Sequence, residues 1–291
     1  MDKLTRNFLI IFLLALIWGS SFILMKRGLE AFTYEQVSTL RLFIAFLSLL
    51  PFVLSAFKKV TKKHWRFIMI VAFLGNGIPA FLFAKAQMYL ESSFIGILNS
   101  LTPIFTLIFG VYFFRLKPSN INIVGIFLGL SGVLILSLTD MTSAISLNYY
   151  ILFVILACIF YAASINVIKK YLRDLDAISI SALAFLFLGP TSALYIFNTD
   201  FLNILLTAKG KSSFFYILIL GTVGTSFAVV IFNKLIQDSS VIFASSVTYL
   251  IPIVALLWGV FDGENITVYY LVGIIVILSG VYLVNIDANK H

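Results

Sequence analysis

Charge is scarce in this sequence. Only 11% of its 291 residues are Asp, Glu, Lys or Arg, whereas 61% are hydrophobic. Soluble proteins carry about 25% charged residues, and a chain of this length cannot bury so large an apolar fraction in a water-soluble core. The shortage of charge therefore excludes a soluble domain and places most of the surface in lipid.

Cysteine and histidine are almost absent, which limits the possible chemistry. Cys158 is the single cysteine, so no intramolecular disulfide can form. The only histidines are His64, in a basic stretch, and His291, the last residue. No His-Glu-x-x-His or Gly-x-Ser-x-Gly motif is present. We therefore expect no enzymatic activity, no bound metal and no cofactor.

Long apolar runs dominate what is present. A membrane-spanning helix needs about 20 mostly apolar residues. Ten such runs lie at 7–26, 34–56, 65–89, 93–114, 120–138, 149–168, 177–198, 213–234, 240–260 and 267–285. The pattern predicts an all-α integral membrane protein with ten transmembrane helices.

The net charge of +8 has a topological meaning, because the basic residues cluster in alternate loops. With the N-terminus inside, the outer segments hold only Lys26, Arg27, Lys209 and Lys211. The inner segments hold Lys3, Arg6, Lys58, Lys59, Lys62, Lys63, Arg66, Arg115, Lys117, Lys169, Lys170, Arg173 and Lys290. This bias predicts that both termini are cytoplasmic and that nucleic acid is not a partner.

The two halves of the sequence are alike. When segment 75–110 is shifted by 149 positions it overlies 224–259, and the shift pairs Gly75 with Gly224, and Pro103 with Pro252. Each half holds five apolar runs, an odd number, so the second half enters the bilayer from the opposite side. We predict two inverted five-helix repeats, at residues 1–140 and 149–291, an arrangement typical of alternating-access transporters.

No Asp or Glu lies in the middle of any of the ten runs. Proton-coupled carriers commonly use a carboxylate inside the membrane. For a carrier, this absence favours facilitated diffusion or exchange.

Several short motifs carry a resemblance to a known family. They are Trp18-Gly19-Ser20-Ser21-Phe22, Lys26-Arg27-Gly28-Leu29, Arg41-Leu42-Phe43-Ile44-Ala45, Leu101-Thr102-Pro103-Ile104-Phe105, Tyr249-Leu250-Ile251-Pro252-Ile253-Val254, Gly263-Glu264 and Leu278-Ser279-Gly280-Val281. The sequence resembles the EamA-type members of the drug/metabolite transporter superfamily over nearly its whole length. It departs from them at Phe114-Arg115, where the family often has Gly-Glu. The resemblance implies a ten-helix carrier, usually an exporter of small metabolites, with a cavity between its halves.

Polar side chains inside the apolar runs are candidate substrate contacts, because lipid offers them no hydrogen-bond partner. Asn76 and Gln87 recur on one face of the third run, beside a kink expected at Pro79. Trp18 lies too deep for an interfacial aromatic belt. The candidates are Trp18, Asn76, Gln87, Asn99, Thr102, Tyr161, Ser245, Thr248 and Tyr249. The alternative for each is a contact between helices, such as an interhelical hydrogen bond.

Three basic residues lie within the runs. Arg41, Lys85 and Lys234 are possible anion contacts, and the alternative is that each extends along its helix to the membrane surface. If they face a cavity, the substrate is anionic.

These patterns favour a secondary transporter of the cell membrane that moves, and by the resemblance exports, an amino acid or related metabolite. A carrier of anionic or phosphorylated metabolites is the alternative, and a channel or a membrane-embedded enzyme fits less well. Gly125 and Gly129 form a small-residue pair that predicts close packing inside the chain, with homodimerisation as the alternative. The expected partners are a small molecule and the lipid bilayer, for a monomer or weak homodimer.

Overall fold

The computed structural model describes residues 3–115, 119–137 and 149–286. Within these ranges the chain is helical and contains no β-strand. The helices are α1 (Lys3–Leu29), α2 (Tyr34–Phe57), α3 (Lys62–Ala72), α4 (Ile78–Gln87), α5 (Ser92–Asn99), α6 (Thr102–Phe114), α7 (Asn120–Ser137), α8 (Tyr150–Tyr171), α9 (Ala177–Phe197), α10 (Phe201–Leu206), α11 (Ala208–Gly221), α12 (Ala228–Asp238), α13 (Val241–Ser245), α14 (Ile251–Phe261) and α15 (Val268–Ile286). Lys117, Lys290 and the predicted repeat ends at 138–140 and 287–291 lie outside the described residues.

Most of the predicted spans appear as long apolar helical segments. Eight are long and apolar enough to cross a membrane: Thr5–Leu29, Tyr34–Phe57, Lys62–Gln87, Ser92–Phe113, Tyr150–Tyr171, Ala177–Phe197, Ala208–Asp238 and Phe243–Phe261. The other two predicted spans correspond to α7 and α15, whose apolar parts, Asn120–Gly132 and Val268–Leu283, are shorter. The all-helical class is thus confirmed for the described residues.

Two of the spans contain a π-helical turn. The first, Phe73–Gly77, joins α3 to α4, and the second, Thr222–Phe227, joins α11 to α12. Pro79 follows the first turn and favours it, because proline cannot donate a backbone hydrogen bond and its ring clashes with the carbonyl four residues earlier. The sequence predicts a kink or partial unwinding here; the chain instead widens by one π turn and stays helical. The second turn forms without a proline, since Ala228 stands at the equivalent position.

Two further spans break near their middle. Ser100 and Leu101 separate α5 from α6, and a 3₁₀ turn, Ser246–Tyr249, separates α13 from α14. Pro103 and Pro252 each lie in the first turn of the helix that follows. Proline is tolerated there because the first backbone N–H groups of a helix have no partner within it. Both breaks direct polar side chains towards the centre of the bundle.

Glycines bring α7 and α15 into backbone contact. A Cβ atom at Gly132 would lie 2.9 Å from the backbone nitrogen of Ile277 and 3.1 Å from the carbonyl oxygen of Gly273. Gly280 lies against the backbone of Gly125 and Gly129 in the same way. The predicted packing of these small residues within the chain is therefore present, since the absent side chains let the helices approach closely.

Ion pairs connect the two halves at both ends of the bundle. We call the end at which α1 begins the Arg6 face, and the end at which it finishes the Lys26 face. The pairs at the Arg6 face are Arg6–Asp238 at 3.3 Å, Lys59–Asp176 at 2.8 Å and Lys63–Asp174 at 3.2 Å. Those at the Lys26 face are Lys26–Asp262 at 2.6 Å, Lys26–Glu264 at 2.7 Å and Arg27–Asp262.

Candidate functional site

A central cavity lies between helices of the first and second halves. It holds about 1010 Å³ of space free of protein atoms, its open part included. In the first half its wall is built from α1 to α6 and the first π turn. In the second half it is built from α8, the second π turn, α12, α13 and the 3₁₀ turn that follows α13.

The wall uses matching positions on α1 and α8. Each helix presents four side chains at spacings of three, one and three residues, which is one face of an α-helix. Those of α1 are Trp18, Ser21, Phe22 and Met25, and those of α8 are Tyr161, Ser164, Ile165 and Ile168. The two helices therefore line the cavity in the same way from different halves of the chain.

Each of these helices also packs on the π turn of the other half. A Cβ atom at Gly224 would lie 2.8 Å from Ser21 Oγ, and one at Gly75 would lie 3.1 Å from Ser164 Cβ. Trp18 fixes the first contact by donating from Nε1 to the carbonyl oxygen of Gly224 at 3.1 Å. A side chain at either glycine would displace Ser21 or Ser164, so glycine keeps these contacts between the halves close.

The π turns supply polar groups at equivalent positions. Asn76 donates to the carbonyl oxygen of Val71 at 3.2 Å, and Thr225, 149 residues later, donates to that of Leu220 at 2.8 Å. Both side chains line the cavity. A π turn leaves helix carbonyls without their usual partners, and these side chains satisfy two of them while remaining exposed to the cavity.

A second group of polar residues lies where two spans are broken, between α5 and α6 and between α13 and α14. Thr102 Oγ1 donates to the carbonyl oxygen of Asn99 at 2.8 Å, and Thr248 Oγ1 donates to that of Ser245 at 2.9 Å. All four residues line the cavity. Because each hydroxyl gives its proton to its own helix, its lone pairs remain available to accept a hydrogen bond from a ligand.

One ionised side chain is present in this wall. Arg41 of α2 donates from Nε to Thr225 Oγ1 at 2.6 Å. It lies seven residues after the start of α2, roughly 10 Å below the Lys26 face. No Asp or Glu belongs to the described lining. The side chain thus points into the cavity and not along α2 to the surface.

Two predicted substrate contacts lie outside the cavity wall. Gln87 donates from Nε2 to the carbonyl oxygen of Phe22 at 2.7 Å, and Tyr249 donates from its hydroxyl to that of Val281 at 2.9 Å. Both groups hold neighbouring helices together. The other seven predicted contacts line the cavity: Trp18, Asn76, Asn99, Thr102, Tyr161, Ser245 and Thr248.

The lysines predicted as possible anion contacts also lie outside the wall. Lys85 Nζ sits 4.3 Å above the centre of the Tyr34 ring, and Lys234 pairs with Asp238 at 3.0 Å with its side chain 59% exposed. Neither lysine is among the residues that line the cavity with Arg41.

Sequence reasoning missed several polar residues of the wall, namely Ser21, Ser164, Thr225 and Asn233. The signal for Thr225 was in the repeat, because the shift that pairs Gly75 with Gly224 also pairs Asn76 with Thr225. The missed serines lie three residues after Trp18 and Tyr161, on the same helix faces.

Glu264 links the segment after α14 to the start of α5 at the Lys26 face. It accepts hydrogen bonds from the backbone nitrogens of Ser92 and Ser93, both at 3.0 Å, and from Ser92 Oγ at 2.5 Å. These donors form the start of α5, where the helix dipole favours a negative charge. Burial alone would raise the pKa of Glu264, but hydrogen bonds from Lys26, Ser92 and Ser93 lower it to about 2.

Gly263 makes this arrangement possible. Its φ of +76° lies in the left-handed region, which glycine adopts without strain. The chain therefore reverses direction after α14, and Glu264 folds back onto α5. The Gly-Glu pair thus has a structural explanation in this chain.

No group of three or more His, Cys, Asp or Glu side chains within the described ranges is arranged to hold a metal ion. The single thiol, Cys158, is buried, with Sγ 3.7 Å from the carbonyl oxygen of Leu98.

Comparisons with known proteins agree with these features. A sequence model described as the EamA-like transporter family matches the chain twice, over residues 6–138 and 148–286. An uncharacterized transporter of Archaeoglobus fulgidus is 23% identical over 283 residues, which cover 96% of this chain and 98% of that one. The uncharacterized transporter YdfC of Bacillus subtilis is 26% identical over 287 residues, covering 94% and 89%.

One solved crystal structure has a similar fold. It superposes with a TM-score of 0.71 and 14% sequence identity, and the match covers 98% of each chain. At this identity the likeness concerns the fold alone.

Proposed function

This chain belongs to the EamA-like transporter family, and we propose that it is a secondary transporter that moves a small metabolite by alternating access. The observation that carries the proposal is the composition of the cavity wall. Helices α1 and α8 contribute the same four positions, and the two π turns contribute the same fifth one. A site built equally from two related halves can face either side of the membrane when the halves exchange conformations.

The proposal includes ten membrane-spanning helices in two inverted five-helix repeats, at residues 1–140 and 149–291. Support comes from the equivalent π turns, from the equivalent breaks before Pro103 and Pro252, and from the two separate family matches. In this arrangement α1 and α8 each rest on the opposite half, so movement of one half alters both ends of the cavity.

The proposed orientation places the Arg6 face in the cytoplasm and the Lys26 face outside. Thirteen of the Lys and Arg residues then lie in inner segments and four in outer ones. Both termini are cytoplasmic in this orientation, and the membrane is the cell membrane. The Lys26–Glu264 pair becomes part of an external closure, and Lys59–Asp176 part of an internal one.

For the substrate we propose an amino acid or related metabolite, with export as the direction. The mixed wall supports this choice, because aromatic side chains such as Phe83 and Phe232 alternate with amides and hydroxyls. Since no acidic side chain belongs to the described wall, we propose uncoupled transport or exchange. A carrier of anionic metabolites is the second candidate, favoured by Arg41.

Counterflow in liposomes tests this function. Purified protein is reconstituted with an unlabelled amino acid inside, and uptake of the labelled compound is followed without a pH gradient across a panel of amino acids. We expect uptake of at least one compound that is unchanged by a protonophore. The proposal of uncoupled transport is wrong if uptake occurs only when a proton gradient is applied.

Two tryptophan variants connect that activity to the cavity. Val229 lines the cavity, whereas Leu54 is 78% exposed on the lipid-facing surface. We expect Val229→Trp to abolish counterflow because the larger ring fills the cavity, and Leu54→Trp to retain it. Equal activity of the two variants would place the transport route elsewhere.

A further inference from the structure

We propose that Arg41 recognises the substrate and that the substrate carries one carboxylate group. The inference rests on the proposed function, since it assigns a ligand chemistry to the cavity of a transporter. Three observations support it. The charge of Arg41 has no acidic partner, its hydrogen bonds leave two nitrogens available, and it lies outside the part of the wall that α1 and α8 line with equivalent residues.

The guanidinium is isolated from acidic groups. Among the residues that the structure describes, no carboxylate forms an ion pair with Arg41, and the cavity wall contains neither Asp nor Glu. A cation held at membrane depth without a counter-charge is costly. A carboxylate group on a ligand in the cavity would supply that counter-charge, so the cavity favours compounds with a carboxylate over compounds without one.

The hydrogen bonds of Arg41 leave its two terminal nitrogens available to bind a ligand. Nε donates to Thr225 Oγ1 at 2.6 Å, and the hydroxyl in turn donates to the carbonyl oxygen of Leu220 at 2.8 Å. This chain of two hydrogen bonds fixes the orientation of the side chain. The two terminal nitrogens form no hydrogen bond to a described residue, and together they match the two oxygens of a carboxylate.

Arg41 also breaks the symmetry of the wall. Helices α1 and α8 line the cavity with equivalent residues, but α2 contributes Arg41 alone, and α9, against which α2 packs, contributes none of the described lining. The cavity therefore holds one cationic subsite, not two. One monoanionic group can pair with Arg41. A dicarboxylate or a phosphate monoester would bring a second negative charge with no cationic side chain to pair with.

The rest of the wall suits a ligand whose remaining part is apolar. Phe83 lies next to Phe22, with ring centres 5.9 Å apart, and next to Tyr161, with ring centres 5.7 Å apart. These rings form a continuous aromatic surface in the cavity. Asn76 and Asn99 provide neutral polar groups for any additional amine or hydroxyl of the ligand.

The first experiment compares carboxylates with their own carboxamides in wild-type protein. The probes are L-leucine, L-phenylalanine and L-threonine with the corresponding amino acid amides, together with phenethylamine and glucose 6-phosphate, each tested as a competitor in counterflow and as a stabiliser in thermal unfolding. We expect at least one carboxylate to bind, and its amide to bind about 10-fold more weakly or worse, since the charge-assisted pair is lost.

The second experiment changes the cation. Arg41→Gln should raise the half-saturation concentration for the carboxylate about 10- to 100-fold and leave that for the amide unchanged. Arg41→Lys retains the charge but not the paired nitrogens, so its half-saturation concentration for the carboxylate should lie between those of wild type and Arg41→Gln. This variant provides the test if Arg41→Gln fails to fold. Lys234→Gln, on an exposed residue outside the cavity, is the matched control and should behave as wild type.

The outcomes separate this inference from the proposed function. Counterflow of amides, amines or sugar phosphates in preference to carboxylates would overturn the assignment to Arg41 while leaving a transporter. An equal loss for carboxylate and amide in both Arg41 variants would give Arg41 a structural role only, and would also overturn it. Absence of counterflow for every probe, with no stabilisation by any, would instead contradict the proposed function.

Discussion

Replacement of Glu264 by glutamine should destabilise the protein in a pH-dependent way. The carboxylate is 2% exposed and receives hydrogen bonds from Lys26, Ser92 and Ser93. These bonds outweigh the cost of burial and lower its pKa from 4.5 to about 2. The lowering corresponds to roughly 3 kcal/mol of stability when the carboxyl is ionised. We therefore expect Glu264→Gln to lower the unfolding temperature at pH 7 by about 5 °C or more.

The sign of the pH dependence follows from the lowered pKa. A carboxyl whose pKa falls on folding stabilises the folded state fully above its unfolded value of 4.5, and loses this contribution as the pH falls towards 2. The difference between wild type and the Glu264→Gln variant should therefore shrink between pH 4.5 and pH 2. Only the difference is informative, because the pKa of Asp176 is also lowered to about 2 by Lys59 and Ser179 against the effect of burial.

The single thiol provides the assay, since Cys158 is fully buried and becomes reactive only when the bundle opens. A thiol-reactive dye added to detergent-solubilised protein would report unfolding as the temperature rises. The matched control is Glu30→Gln, because Glu30 is 41% exposed and its pair with Arg27 should contribute less than about 1 kcal/mol. Equal unfolding temperatures for the two variants, or a difference that stays constant down to pH 3, would refute the reasoning.

Three further predictions follow from other contacts. Thr225→Val removes the acceptor that orients Arg41, so the half-saturation concentration for a carboxylate should rise several-fold in counterflow while that for its amide stays constant; a parallel change in both would contradict the positioning role. Gly132→Ala places a methyl group against the backbone of α15 and should cost about 1–3 kcal/mol in denaturant unfolding, whereas Leu130→Ala on the exposed side of α7 should cost less; the reverse order would argue against the close packing. Cys158 in folded protein should resist maleimide labelling for as long as the protein remains intact by size-exclusion chromatography, and rapid labelling would show that the bundle opens at this depth.

Hydropathy predicted the helices well because lipid imposes a length and a composition on any span. The predicted run 34–56 and the helix Tyr34–Phe57 agree to within one residue. The short helix α10, Phe201–Leu206, lies outside the ten predicted runs, because a six-residue helix has too few residues to show a clear hydrophobic period. Hydropathy also gave no indication of the π turns, because it reports apolar composition and not backbone hydrogen bonding; Pro79 indicated only that the helix is distorted at the first of them.

The direction of individual polar side chains was harder to predict. Gln87 shares a helix face with Asn76, yet its amide is used by the carbonyl oxygen of Phe22. Arg41 could reach the surface by its length, but Thr225 of the other half holds it in the cavity. In each case the deciding partner lies far away in the sequence, so spacing within one helix contains no information about it. Binding by the seven predicted residues in the wall stays a prediction.

The glycines at the contact of α7 and α15 also restrict how this protein can change over evolutionary time. At Gly19 an added methyl group would meet Val254 Cβ at 2.5 Å and Cγ1 at 2.7 Å, so a glycine at 254 would remove the two closest contacts of a larger residue at 19. At Gly132 the atoms met are the backbone nitrogen of Ile277 and the carbonyl oxygen of Gly273, which every amino acid possesses. No substitution on α15 can make room there, so a lineage that loses this glycine must shift a whole helix. Paired substitutions are therefore expected among relatives at 19 and 254, and not at 132 and 277.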